Sequence, residues 1–343
     1  MRDVDMTVTA DDGLSLAGTL TLPAGPGPHP AVLLLHGSGP LDRDANTGRL
    51  RMELGPPLAA ALAKEGIATL RYDRRGVGAT SGDWHATGFA DNRHDAAAAL
   101  RALAGRPGIR ADAVGVVGHS EGAVHAMSLG AHPGVGAVVL LAGFARLGED
   151  ALRRQAGMIA RGLPAPVRPL LPVLRALFTR HLARVRTTRA DVARVTGIRV
   201  NARWMREMLD HDPRPDLANI RVPVLAITGG KDVQVDPADL DEIRRLVLGE
   251  VEIHRIPDLT HPLRRDPGRP SMLSYPRLLR RPVDADLLAL VAGWLALRLG
   301  ETSQGREDRE NREGLESREN RESPAASRRE SPGGTGNSLV KNP

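Results

Sequence analysis

Gly118-His119-Ser120-Glu121-Gly122 forms a G-x-S-x-G pattern, the local signature of a serine presented for nucleophilic attack. With 37 glycines in 343 residues, chance supplies about 0.15 such matches, so the pattern alone decides little. Its surroundings decide more. The apolar run Val114–Val117 precedes it and a helical pattern beginning at Glu121 follows. Strand, tight turn and helix is the setting in which the motif has a mechanism. The turn strains the serine backbone and lifts the hydroxyl above the sheet edge. The helix start sets N–H groups and a positive dipole end beside it. A glycine-rich turn with an inert serine is the competing reading, and this context disfavours it.

A serine hydroxyl is a poor nucleophile until a base takes its proton and an acid orients that base. The expected chain order is serine, acid, histidine. Behind the apolar run Val222–Thr228 stands Gly229-Gly230-Lys231-Asp232, and behind Val251–Ile256 stands Pro257-Asp258-Leu259-Thr260-His261. Asp232 and His261 thus each follow a strand's C-terminal end. Either alone is an ordinary loop residue; together with Ser120 they make a triad. Asp236 and Asp258 compete for the acid's role, and Asp236 also suits the cap of the following helix. The tetrahedral intermediate needs two backbone donors. The N–H of Glu121 supplies one, and the loop His36-Gly37-Ser38-Gly39-Pro40 supplies the other, with Ser38 the choice.

These residues are far apart in the chain, so a regular scaffold must bring them to one edge. Met6–Ala10 and Leu14–Leu22 flank Asp11-Asp12-Gly13 and read as a hairpin. Pro30–Leu35 is a continuous apolar run, the mark of a strand buried on both faces. Similar runs recur at Ile67–Tyr72, Ala113–Val117, Gly136–Ala142, Val222–Thr228 and Val251–Ile256. Helical patterns lie between them at Pro57–Lys64, Asn92–Ala104, Glu121–Leu129 and Asp236–Val247, with Asp284–Leu299 as a closing helix. This alternation predicts an α/β class chain with a mostly parallel central sheet and helices on both faces. In open sheets of this kind the C-terminal strand edge is where ligands bind.

Two stretches break the rhythm. Residues 146–216 are helix-like and arginine-rich without a convincing buried strand, and read as an insertion between two strands. From 301 to 343 the sequence turns to Glu, Arg, Asn, Ser and Gly with few hydrophobics. Such a low-complexity tail cannot bury enough apolar surface to offset ordering entropy, so disorder is expected. The rest divides as a core of 1–145 and 217–300.

The chain holds no cysteine, which excludes disulfides, thiolate metal sites and a cysteine nucleophile. Its net charge of +6 is not spread evenly. Residues 146–220 carry 15 arginines against 7 acidic residues, and no nucleic-acid module accompanies them. Met1–Asp5 is charged, unlike a signal peptide. Leu287–Leu297 falls short of the roughly 20 residues that span a bilayer. A cytoplasmic protein with no stable membrane insertion and no nucleic-acid partner is the expectation.

The chain resembles the bacterial α/β-hydrolase fold serine esterases from about residue 5 to 300. The resemblance rests on His36–Pro40 followed by Asp42-Arg43-Asp44, on Tyr72-Asp73-Arg74-Arg75-Gly76-Val77-Gly78, on Gly118–Gly122, on Gly230-Lys231-Asp232 and on His261. It implies the α/β-hydrolase fold, with 146–216 as a helical cap. It also implies that Asp73 belongs to a structural turn, and that Asp42-Arg43-Asp44 braces the oxyanion loop through ion pairs.

The expected chemistry is cleavage of small-molecule carboxylic esters through an acyl-enzyme on Ser120, with no cofactor and no metal. An aminopeptidase or amidase, a thioesterase or acyltransferase, and a non-catalytic ligand-binding protein remain alternatives on the same scaffold. Met158, Phe178, Trp204, Met205 and Met208 either line an acyl pocket or pack the cap onto the body. The basic segment is read as a solvated face, with attraction of anionic substrates or of an anionic lipid surface as the sharper readings. Oligomeric state is not legible.

Overall fold

A computed structural model describes residues 1–48, 50–195 and 197–300. The chain opens with an antiparallel hairpin of β1 (Arg2–Thr9) and β2 (Ser15–Leu22). Gly13 takes a positive φ in its turn, as Asp-Gly turns require. β3 (His29–Leu35) is followed by a small hairpin, β4 (Asn46–Thr47) and β5 (Leu50–Arg51). Then come α1 (Gly55–Lys64), β6 (Ala68–Tyr72), α2 (Phe89–Ala104), β7 (Ile109–His119), α3 (Glu121–Leu129) and β8 (Val135–Leu141).

Between β8 and the next strand of the large sheet lie α4 (Gly148–Arg161), a 3-10 turn Ala165–Leu170, and α5 (Leu171–Thr187). A hairpin of β9 (Val192–Val195) and β10 (Ile198–Asn201), α6 (Ala202–Asp210) and α7 (Arg214–Leu217) complete that stretch. The sheet resumes with β11 (Val224–Gly229), α8 (Asp239–Leu246) and β12 (Val251–Ile256). A 3-10 turn at Met272–Ser274, α9 (Tyr275–Leu278) and α10 (Ala285–Gly300) follow.

The large sheet has eight strands in the order β1-β2-β6-β3-β7-β8-β11-β12. The six from β6 to β12 run parallel, and the β1–β2 hairpin adds antiparallel at one edge. Alternate residues of the central strands feed two apolar layers. Leu33, Leu35, Val116 and Leu140 face Leu100, Leu103, Ala123 and Met127 of α2 and α3. Val32, Leu34, Val117 and Val139 face Leu58 and Leu62 of α1 and Val291 and Leu295 of α10. The layers are built from aliphatic residues, since the chain has only three Phe and two Tyr.

Two details depart from the sequence reading. β12 is half-buried along most of its length, because it is the last strand of the sheet and has a neighbouring strand on one side only. The 146–216 stretch contains the β9–β10 hairpin besides its helices, an element too short to announce itself by periodicity. Residues 1–300 form one compact unit. The expectation of disorder from 301 onward lies outside the described residues.

Candidate active site

Ser120 sits between β7 and α3 with φ 56° and ψ −118°. A non-glycine residue held there stores about 1–3 kcal/mol of backbone strain. The flanking glycines make the elbow possible. A Cβ on Gly118 would strike the carbonyl of Gly122, and a Cβ on Gly122 would strike that of Leu35. The Ser120 N–H donates to the Leu141 carbonyl at 2.9 Å, fixing the elbow against the end of β8.

Asp232 follows β11 through Gly229 and Gly230, where the backbone of 257–259 leaves no room for a side chain. Its Oδ1 accepts from the N–H groups of Gln234 at 2.7 Å and Val235 at 2.9 Å. Its Oδ2 faces Nδ1 of His261 at 2.8 Å. A carboxylate accepts only, so Nδ1 carries the proton and Nε2 is left as the acceptor. That Nε2 stands 3.1 Å from Ser120 Oγ. The structure therefore brings Ser120, His261 and Asp232 into one hydrogen-bonded chain. The other candidate acids are occupied elsewhere: Asp236 pairs with Arg154 and Arg146, and Asp258 with Lys231.

Ser38 lines the same cavity as Ser120. Among the described residues, neither its N–H nor that of Glu121 donates to the protein. Three groups hold these donors in place. His36 Nε2 donates to the Arg43 carbonyl at 2.5 Å. Burial, then the nearby Arg74, pushes that imidazole down to about 3, so it is neutral. Arg74 donates to the His36 carbonyl at 2.7 Å and faces the Glu121 carboxylate at 3.4 Å. One guanidinium thus ties the loop after β3 to the start of α3. Burial raises the Glu121 carboxyl, but Arg74 and His125 outweigh it and hold the group at about 2.

Asp73 accepts from the Arg43 N–H and guanidinium, both at 2.7 Å, and from the Ala79 N–H at 2.9 Å. Asp44 pairs with Arg71. The Asp42–Asp44 loop is therefore braced by ion pairs, and Asp73 stands apart from His261. Arg74 and two further residues escape sequence reasoning. His119 Nε2 donates to the His261 carbonyl at 2.9 Å. Burial, then His261, pushes His119 down to about 3. Arg264 is buried and donates to the carbonyls of Met52 at 2.6 Å, Pro262 at 2.7 Å and Arg281 at 3.2 Å. Arg74 and His119 lie inside the Tyr72–Gly78 and Gly118–Gly122 motifs, whereas Arg264 lies in none.

A cavity of about 900 Å³ opens beside Ser120 and His261. Leu41, Leu50, Met52, Met272, Tyr275 and Leu279 supply its apolar lining. Met158, Phe178, Trp204, Met205 and Met208, read as acyl-pocket lining or cap packing, are not among its lining residues. Met158 lines a separate cavity, and Trp204 a smaller one of about 190 Å³ shared with Ser38 and Arg74. Met208 packs on Phe89 and Val124, with Met205 against them. The segments around 50–53 and 272–280 wall this cavity, and neither has a periodicity that marks it as a pocket wall.

Comparison with known proteins follows the same lines. Esterase EstD of Thermotoga maritima is 28% identical over 297 residues, covering 86% of this chain and 67% of that protein. Est1E from Butyrivibrio proteoclasticus, solved with ferulic acid bound, superposes with a TM-score of 0.58 at 16% identity, covering 86% of this chain and 100% of that one. The alpha/beta hydrolase GrgF from Penicillium sp. sh18 does so at 0.58 and 16%, covering 88% and 100%. At such identities the two structures speak for the α/β-hydrolase fold alone. Residues 52–268 match the family Hydrolase_4, serine aminopeptidase, S33. The chain belongs to this family of α/β-hydrolases.

Proposed function

We propose that this hydrolase cleaves carboxylic esters through an acyl-enzyme on Ser120. The observation that carries the reading is His261 standing between Asp232 at 2.8 Å and Ser120 at 3.1 Å, with its two nitrogens in opposite roles. Resemblance to an esterase along most of the chain supports it.

In this mechanism Ser120 Oγ attacks the ester carbonyl carbon as its proton passes to Nε2 of His261. Asp232 keeps Nδ1 protonated and stabilises the imidazolium that forms. The carbonyl oxygen becomes an oxyanion and accepts from the N–H groups of Ser38 and Glu121, each such donor being worth about 3 kcal/mol in related sites. The alcohol leaves with the proton from Nε2. Water then attacks the acyl-enzyme, gives a proton to the same nitrogen, and releases the acid as Ser120 regains its hydrogen. Side chains, backbone and water supply every step. The segment 146–216 serves as a cap over the C-terminal edge of the sheet, and the cavity walled by Met52, Met272, Tyr275 and Leu279 takes the acyl group.

Amide cleavage is a second reading, because the family's description is that of a serine aminopeptidase. A panel of p-nitrophenyl esters of rising acyl length, run beside aminoacyl anilides and repeated with Ser120→Ala, separates the two. The ester reading expects turnover of the esters over the anilides, and loss of that turnover in the variant. Preference for the anilides overturns ester specificity. Ester turnover that survives Ser120→Ala overturns the catalytic assignment.

A further inference from the structure

Residues 151–190 contain nine arginines and no acidic residue. Within them, Leu170, Val173, Leu174 and Leu177 are 56%, 57%, 44% and 58% exposed. Their spacing of i, i+3, i+4 and i+7 sets them on one side of α5 and its entry turn. The same helix buries Leu182 and Val185 toward its C-terminal end, so its apolar side is covered there and turned outward over the N-terminal half. Arg180 and Arg184 continue the ridge at i+3 and i+7 from Leu177. Among the described residues, Arg161, Arg168, Arg175, Arg180 and Arg184 have no carboxylate within 4.0 Å. Their charge is not neutralised by any carboxylate among the described residues.

The exposed apolar surface continues to the catalytic cavity. Ser271 donates to the Gly162 carbonyl at 3.3 Å, joining the stretch before α5 to the segment that carries Met272 and Leu273. Leu273 is 66% exposed, and Met272, 38% exposed, lines the cavity beside Ser120 together with Leu50. Most of the exposed large apolar residues among those described lie on α5 or around this mouth.

We infer that this face seats on an anionic phospholipid surface, with the apolar stripe of α5 in the headgroup layer and its arginines on the phosphates. An arginine-flanked helix with an outward apolar side is the form that lies in such an interface, and anionic headgroups attract each nearby cation. A second copy of the chain fits the face poorly, since it would set one arginine cluster against another. The contact is peripheral: no described helix is long and apolar enough to cross a membrane. Seated this way, the cavity mouth faces the lipid, which suits esters that partition into it.

Co-sedimentation with phosphatidylcholine vesicles, and with vesicles of phosphatidylcholine mixed with phosphatidylglycerol, tests the inference on the full chain. The protein should bind the mixed vesicles, leave the neutral ones unbound, and release at high salt. Leu174→Glu with Leu177→Glu, and separately Arg180→Gln with Arg184→Gln, should each lower the partition coefficient about tenfold or more. Both pairs are exposed and outside the catalytic residues, so hydrolysis of p-nitrophenyl acetate in solution should be unchanged and reports that each variant is folded. Failure to bind the mixed vesicles, equal binding to both kinds, or folded variants that bind as the parent does would overturn it. So would a dimer that Leu174→Glu dissolves, because the stripe would then belong to a second copy.

Discussion

His119 Nε2 donates to the backbone carbonyl of His261 at 2.9 Å. The residue before the proposed nucleophile therefore anchors the main chain of the proposed base. The two imidazoles lie 5.0 Å apart, centre to centre. His119 is neutral in the fold because its burial opposes a charge, so its single N–H is committed to this contact.

His119→Phe keeps an aromatic ring but leaves that carbonyl without its donor, a loss of about 1–3 kcal/mol. We expect kcat to fall about 10- to 100-fold with KM little changed, since the base shifts while the cavity stays intact. His119→Gln, which can present an N–H from a similar reach, should recover part of the loss. Steady-state kinetics on a soluble ester check this; equal kcat in all three proteins would remove the positioning role.

Arg264 plays a matching part on the other side of the His261 loop. Its guanidinium joins the carbonyls of Pro262, Met52 and Arg281, so one side chain ties that loop to the cavity wall. Arg264→Met should lower kcat about 100-fold through misplacement of His261. Arg264→Lys should not restore it, because an ammonium cannot spread its donors across three acceptors as a planar fork does. A kcat within a few-fold of the parent in the folded methionine variant would contradict this.

Stability should fall in mild acid, and the sign follows from three buried groups. His36 and His119 sit at about 3 in the fold against an ordinary 6.5, so the unfolded chain binds more protons between those values. Their stabilisation is complete above 6.5 and drains away as pH falls toward 3. Together they should cost on the order of 4 kcal/mol between pH 7.5 and 5. Glu121, at about 2 against an ordinary 4.5, adds a further loss as pH falls from 4.5 toward 2. Urea unfolding at pH 7.5, 6 and 5 measures the slope. A stability that is flat or rises toward pH 5 would contradict it.

The sequence makes some of this architecture legible and hides the rest for physical reasons. Ser120 and Asp232 stand out because each follows a continuous apolar run and a turn, and His261 because it follows the mixed run Val251–Ile256; parallel strands deliver such turns to one edge. Gly118 and Gly122 are legible for the same cause: a sharp turn under crossing backbone excludes side chains. The cavity wall is not legible. Met52, Met272 and Tyr275 come from short irregular segments whose place in the cavity wall depends on how loops pack. The roles of His119 and Arg264 are hidden in the same way, since each acts on a carbonyl distant in sequence or out of register with any motif. The edge position of β12 shows only once the strand order is known.

Covalent labelling reads the reactivity of the Ser120 hydroxyl itself. A fluorophosphonate reacts with a serine that a neighbouring base has activated, and peptide mass mapping finds the adduct. One adduct is expected, on the peptide that carries Ser120, absent from Ser120→Ala and formed at least about 10³-fold more slowly in His261→Ala. An adduct on a different residue, or a labelling rate in folded His261→Ala equal to the parent's, would contradict it.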